Sequence, residues 1–196
     1  AAVSVREKSG QDLCQKNLGI NAEHLLDPTM LLSKEDYISA FKIDQETKSA
    51  GNLMVYILDH SKEKTDLVNL IANKKELIPF IVGAKFDDGK APMEERIQPR
   101  LQKWLRGFYD AEFVVTDSFH ACVFSILFGK PFVAIGNASR GLSRFESLLA
   151  LFDLRKNLIS DFSQYREDDD YAISETSYQK LDQWREKSLT YLKNNL

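Results

Sequence analysis

The sequence has few of the features that would place it in a specialised class of protein. Only two of its 196 residues are cysteines, which excludes a disulfide-stapled fold and suits a reducing cytoplasm. Its 26 basic residues nearly balance 29 acidic ones, so the formal net charge is −3 and no basic footprint for nucleic acid is expected. No apolar run approaches the roughly 18 residues of a membrane span. Residues 1–5 lack the pattern of a signal peptide. We therefore expect a cytoplasmic protein without a transmembrane segment.

The common motifs of catalysis and cofactor binding are also missing. No G-x-G-x-x-G follows an apolar run, which argues against a dinucleotide site. Gly136 and Gly141 have the spacing of a phosphate loop, but Leu142-Ser143 stands where that loop requires Lys-Ser/Thr. There is no G-x-S-x-G and no C-x-x-C, and the three histidines are widely separated. We expect neither a metal ion nor a cofactor.

The chain does contain short apolar runs that alternate with helical patterns. Hydrophobic residues make up 43% of it and charged residues 28%, the mixture of an ordinary folded protein. Continuous apolar strands separated by helices are typical of a mostly parallel sheet covered on both faces. The sequence thus predicts one three-layer, Rossmann-like α/β domain over residues 1–196, with a C-terminal helix within 174–196. The predicted strands are 3–5, 53–58, 77–82, 113–115 and 132–135.

Three local predictions concern elements near the strand ends. Residues 27–32 should be extended, because a residue before proline disfavours the helical conformation. Leu67, Leu70 and Ile71 should share one face of one helix. Ser143 should open another helix with a capping box that includes Glu146.

The most informative segment follows the strand at 113–115. The strand ends at Thr116-Asp117, and Asp117 or Ser118 can cap the helix that comes next. Free backbone N–H groups at such a helix start form an anion site. His120 lies in the first turn, where it serves either as a local hydrogen-bonding group or as a proton donor and acceptor. Cys122 belongs to an apolar stretch and is interpreted as core.

This segment resembles the signature of a known family. Thr116-Asp117-Ser118-Phe119-His120-Ala121, followed by an apolar helix and Gly129-Lys130-Pro131, is similar to the central motif of polysaccharide pyruvyl transferases. Weaker resemblances are found at Ser4–Ser9, Leu26–Thr29 and Gly141–Glu146. Together they cover about Val3 to Leu154.

The resemblance implies an enzyme of two Rossmann-like halves, similar to GT-B glycosyltransferases, of which this chain would be the carboxyl-terminal half. The implied reaction moves a pyruvyl group from phosphoenolpyruvate to a sugar or lipid-linked saccharide, forming a cyclic ketal in capsular or exopolysaccharide biosynthesis. The enzyme would associate with the inner face of the membrane through its acceptor. The amino-terminal half would be a further partner, without which this chain should be inactive. The helix around Trp184 would either cross to that half or pack on its own sheet. The family's catalytic positions map onto Arg6 and His120.

The sequence departs from the family's pattern at one position. Many relatives read Arg-Leu-His at this junction, whereas this chain reads Ser118-Phe119-His120. Either Arg140 or Arg144 replaces the missing arginine, or the donor is held differently, or the activity has changed. The candidate donor-binding residues are Asp117, Ser118, Phe119, Arg140 and Arg144.

Other interpretations remain open on the sequence alone. Arg6, Arg140 and Arg144 could be solvated surface arginines. The domain could instead be a GT-B glycosyltransferase half that binds a nucleotide sugar. Ser118 in place of arginine also fits a non-catalytic module that binds sugar or phosphate.

Overall fold

A five-stranded parallel sheet forms the centre of the computed structural model, which describes residues 2–84, 89, 92–136 and 141–195. The strands are β1 (Ser4–Val5), β2 (Glu23–His24), β3 (Leu53–Tyr56), β4 (Pro79–Ile81), β5 (Phe113–Thr116), β6 (Phe132–Ile135) and β7 (Leu158–Ile159). The central sheet has the order β4-β3-β5-β6-β7, and every pairing in it is parallel. Strands β1 and β2 form a separate parallel pair. The predicted α/β class is confirmed.

Helices cover both faces of this sheet. The helices of the described residues are α1 (Lys8–Leu18), α2 (Lys34–Phe41), α3 (Lys62–Lys75), α4 (Met93–Arg96), α5 (Leu101–Asp110), α6 (Phe119–Phe128), α7 (Leu142–Leu151) and α8 (Glu175–Asn195). Alternate residues of each central strand enter two separate cores: Val114 packs with α5 and α6, whereas Val115 packs with α3. Cys122 of α6 is fully buried in the first core, as its apolar neighbours predict.

Burial on both faces explains why the central strands read as continuous apolar runs. All residues of β5 and β6 are buried. β4 pairs only with β3 and forms an edge, the position that Pro79 tolerates because proline has no N–H to donate to a second neighbour.

The prediction for residues 27–32 is wrong, and the face shared by Leu67, Leu70 and Ile71 is only partly buried. Pro28–Leu31 forms a turn of 3₁₀ helix, whose first N–H groups are satisfied when the Asp27 side chain accepts from the Thr29 N–H. Leu67 and Ile71 are buried, but Leu70 is 44% exposed. Leu70 lies one residue from Ile71, so it points about 100° away around the helix.

The capping box at Ser143 is also wrong. The N-cap of α7 is Gly141, with φ 85° and no side-chain cap, so the helix begins two residues earlier than predicted. Ser143 therefore lies inside the first turn, where its hydroxyl donates to Glu7 Oε2 at 3.2 Å.

The C-terminal helix α8 packs on its own domain. Trp184 adjoins the first core, and its ring centroid lies 5.3 Å from that of His24. Ser188 Oγ accepts the Leu26 N–H at 3.1 Å, and Arg185 Nε donates to the Met30 carbonyl at 3.0 Å. α8 thus holds the segment that follows β2. Of the helices described, none carries an apolar stretch sufficient to cross a bilayer.

The buried His24 gives the stability of the fold a pH dependence. Burial lowers the pKa of His24 from its usual 6.5, and the Lys187 and Lys8 charges lower this pKa further. The unfolded chain therefore takes up a proton at a higher pH than the folded chain. We expect the free energy of unfolding to fall as the pH drops below about 6.5, and His24→Gln to reduce that slope. Urea titrations of the wild type and the variant at pH 7.5, 6.0 and 5.0 measure the dependence of the free energy of unfolding on pH. An identical slope in the variant would contradict the assignment to His24.

Candidate functional site

The β1–β2 pair brings two residues that are distant in sequence to one place. Val5 is opposite His24 in the parallel register, so the chain leaves both strands at the same edge. Arg6 follows β1 and Asp27 lies three residues beyond β2. The Arg6 guanidinium donates to Asp27 Oδ2 at a distance of 2.5 Å. Asp27 Oδ1 accepts from the N–H and hydroxyl of Thr29, and the Asp27 side chain is only 3% exposed.

Helix α7 brings a second arginine to the same place. Its first two turns are docked on the start of α1, where Ser147 Oγ accepts the Lys8 N–H at 3.0 Å and Ser143 donates to Glu7. Arg144 therefore reaches the ring of Phe119, with its guanidinium carbon 5.7 Å from the ring centroid. The Arg6 guanidinium carbon lies 4.9 Å from the same centroid. Two cations thus share one aromatic ring.

Arg144 has unused hydrogen-bonding capacity. Its Nε atom is buried and has no hydrogen-bond partner among the described residues. A buried guanidinium donor without a partner is costly. An anion bound beside Phe119 would satisfy it.

His120 lies beside both arginines in the first turn of α6. Its side chain is 50% exposed, and its Nε2 atom lies 3.9 Å from Asp27 Oδ2. Partial burial lowers the pKa of His120 from 6.5, and the charges of Arg6 and Arg144 lower this pKa further, while Asp27 raises it. The unliganded protein therefore favours the neutral form of His120. An added anion would reverse that balance.

The start of α6 carries no side-chain cap. Ser118 occupies the N-cap position, but its side chain makes no capping hydrogen bond. Its backbone N–H donates to Thr116 Oγ1 at 3.0 Å. The first-turn N–H groups beside His120 are therefore not capped by Ser118 or Asp117, in contrast to the sequence-based expectation. The N-terminus of this ten-residue helix keeps its preference for an anion.

Asp117, a predicted donor-binding residue, is engaged in structural hydrogen bonds. Its carboxylate accepts the N–H groups of Leu58 and Asp59 at 2.7 and 3.0 Å. It also accepts from Lys64 Nζ at 2.7 Å and is completely buried. These bonds tie the segment after β3 to the end of β5, so the carboxylate is committed to the fold.

The structure therefore brings together Arg6, Phe119, His120 and Arg144 of the predicted site residues. Ser118 borders them through its backbone, and Arg140 lies outside the described residues. Asp27 was given no role by the sequence analysis, because its closeness to Arg6 and His120 depends on the pairing of two-residue strands. In the described part of the chain, no cluster of three His, Cys, Asp or Glu residues could hold a metal ion.

Comparisons with known proteins place this geometry in context. The sequence profile of the polysaccharide pyruvyl transferase family matches residues 1–139, which include Arg6, Asp27, Phe119 and His120 but not Arg144. A solved structure described as the glycotransferase of kitacinnamycin is similar to 74% of this chain, with 14% identity and a TM-score of 0.44. The chain spans only 40% of the length of that protein. No curated protein matches it. Since the family profile spans well over half of its length, the chain belongs to the polysaccharide pyruvyl transferase family.

Proposed function

We propose that this protein transfers a pyruvyl group from phosphoenolpyruvate to two hydroxyls of a saccharide, making a cyclic ketal in capsular or exopolysaccharide biosynthesis. The observation that carries the proposal is the pair of arginines on Phe119, next to His120 and the uncapped start of α6. The saccharide is free or lipid-linked, and its binding surface would belong to the other half of a GT-B-like enzyme.

Phosphoenolpyruvate has the charges that such a site suits. It carries a phosphate and a carboxylate, which are the groups that planar guanidinium donors and helix N-termini bind best. Arg6 is partly neutralised by Asp27, whereas the Nε donor of Arg144 has no partner in the described part of the chain. Arg144 therefore contributes the larger uncompensated attraction for the donor.

Ketal formation requires proton transfers that a histidine can perform. A proton is added to the methylene carbon of the donor, and one sugar hydroxyl attacks the adjacent carbon and loses its own proton. The C–O bond to phosphate then breaks with its electron pair, and the second hydroxyl closes the ketal. In balance, one hydroxyl proton ends on the new methyl group and the other leaves with phosphate.

In this sequence of steps His120 supplies the first proton. The dianionic phosphate raises the pKa of His120 on binding, which offsets the effects of burial and of the two arginines in the free protein. The group is thus charged as an acid only when the donor is present.

Arg144→Ala is expected to raise the KM for phosphoenolpyruvate by about 10- to 100-fold, the value of a charge-assisted hydrogen bond. Steady-state phosphate release by the full-length protein measures this effect. Arg155→Ala is the matched control, because Arg155 is an exposed arginine just beyond α7. A KM within about twofold of wild type, with a chain that remains folded, would remove Arg144 from the donor site.

The identity of the donor is tested by thermal shift. Phosphoenolpyruvate at 100 times its dissociation constant should stabilise the protein by about 2.7 kcal/mol. A panel of nucleotide sugars should give no comparable shift. Stabilisation by a nucleotide sugar and not by phosphoenolpyruvate would favour glycosyl transfer instead.

A further inference from the structure

The carboxylate of Asp27 is fixed more firmly than either of the side chains it approaches. Its Oδ1 atom accepts two hydrogen bonds from Thr29, at 3.0 Å from the N–H and 2.7 Å from the hydroxyl. These bonds and the Arg6 guanidinium lower the pKa of Asp27 against the opposing effect of burial. The carboxylate is therefore ionised at neutral pH and has one orientation.

The backbone that carries Asp27 is held from behind by α8. Ser188, which is 1% exposed, accepts the N–H of Leu26. Arg185 donates to the carbonyl of Met30, and Lys187 donates to that of His24 at 3.3 Å. Three side chains of one helix thus bind the segment on both sides of Asp27. This segment cannot move without breaking them.

The other oxygen of Asp27 is shared between the two side chains of the proposed chemistry. Oδ2 accepts a hydrogen bond from Arg6 at a distance of 2.5 Å and lies 3.9 Å from His120 Nε2. The second distance is within ion-pair range but is too long for a hydrogen bond. At this distance the carboxylate charge of Asp27 favours the protonated imidazole of His120.

We propose that Asp27 is a positioning residue for pyruvyl transfer, whose buried carboxylate fixes Arg6 for donor binding and favours the protonated, acid form of His120. This role rests on the proposed function. Among the described residues, the charged groups that face His120 are Arg6 from the turn after β1, Arg144 from α7 and Asp27 from the loop after β2. Asp27 is the only one of these three that favours imidazolium.

Asp27→Asn tests this role in the full-length protein. It removes the charge and keeps the size of the side chain. We expect the pKa of His120 to fall, measured by NMR titration without donor. The pH above which activity declines should then be lower in Asp27→Asn than in the wild type, because the acid form of His120 is lost at a lower pH. A loss of about 10- to 100-fold in kcat/KM is expected from the released Arg6 and the misplaced His120.

Asp36→Asn is the matched control. Asp36 also accepts hydrogen bonds from a neighbouring backbone N–H and hydroxyl, those of Ser33, but it caps α2 and does not act on His120. It should lower stability and leave both the His120 pKa and the pH profile unchanged. Thr29→Val adds a graded variant, which keeps the carboxylate while it loosens Oδ1; it should lower kcat/KM less than Asp27→Asn.

The outcomes separate this inference from the proposed function. An unchanged His120 pKa and an unchanged pH profile in folded Asp27→Asn would overturn the positioning role. If Asp27→Asn does not fold, an unchanged kcat/KM in Thr29→Val would overturn the positioning role instead. By contrast, a wild-type protein that releases no phosphate from phosphoenolpyruvate, but whose His120 pKa still depends on Asp27, would refute the donor and leave the coupling intact.

Discussion

His120→Gln is expected to lower kcat for phosphate release from phosphoenolpyruvate by about 10²- to 10⁴-fold, the usual contribution of a positioned acid–base group. Glutamine keeps the polarity and approximate length of histidine but cannot carry the proton. The His120 side chain is half exposed, so the stability of the fold should change by less than about 1 kcal/mol. Comparable stability together with a large loss of kcat identifies a chemical role and not a structural one.

His60→Gln is the matched control for this variant. His60 is an exposed histidine just before α3, so its replacement should leave kcat unchanged. Both variants are assayed as full-length protein with saturating donor. A His120→Gln enzyme with more than about a third of wild-type kcat would show that another group supplies the proton.

Asp117→Ala is expected to destabilise the fold by about 3–5 kcal/mol, the cost of removing one partner of a buried ion pair. The Asp117 side chain is completely buried and that of Lys64 only 12% exposed. The substitution leaves the Lys64 ammonium without its carboxylate. It also removes the acceptor for the N–H groups of Leu58 and Asp59. Urea unfolding measures the loss as a lower midpoint.

Asp66→Ala is the control for an exposed pair. Asp66 accepts from Lys62 four residues earlier in α3, and the side chains are 60% and 86% exposed. Its loss should cost less than about 1 kcal/mol. If Asp117→Ala and Asp66→Ala lowered the free energy of unfolding equally, the structural role of Asp117 would be contradicted.

The central sheet could be predicted because its strands are buried on both faces. Runs such as 113–115 and 132–135 are apolar throughout, so they do not show the mixed pattern of an amphipathic helix. Glycines such as Gly129 mark the helix ends. β2 and β7, which are two residues long, were not predicted. Pro79 lies in β4, at the edge of the sheet, where proline is tolerated.

The site could be predicted only in part. Arg6 and His120 were found from motifs, but the motifs gave no distance between them. Two facts of tertiary structure bring the site together: the β1–β2 register, which places Asp27 beside Arg6, and the docking of α7 on α1, which places Arg144 on Phe119. The second depends on Ser143 bonding to Glu7, where the sequence predicted a helix cap.

The pKa of His120 with and without phosphoenolpyruvate is the most direct test of the central claim. Two-dimensional ¹H–¹⁵N spectra of the histidine ring report it across pH 5–9, and His60 serves as an internal reference. In the free protein the His120 pKa should lie below 6.5, and saturating phosphoenolpyruvate should raise it, since a dianion beside Arg6 and Arg144 favours imidazolium. Both the response and donor affinity should weaken in Arg144→Ala. A His120 pKa that is the same with and without phosphoenolpyruvate would contradict a donor site at this cluster.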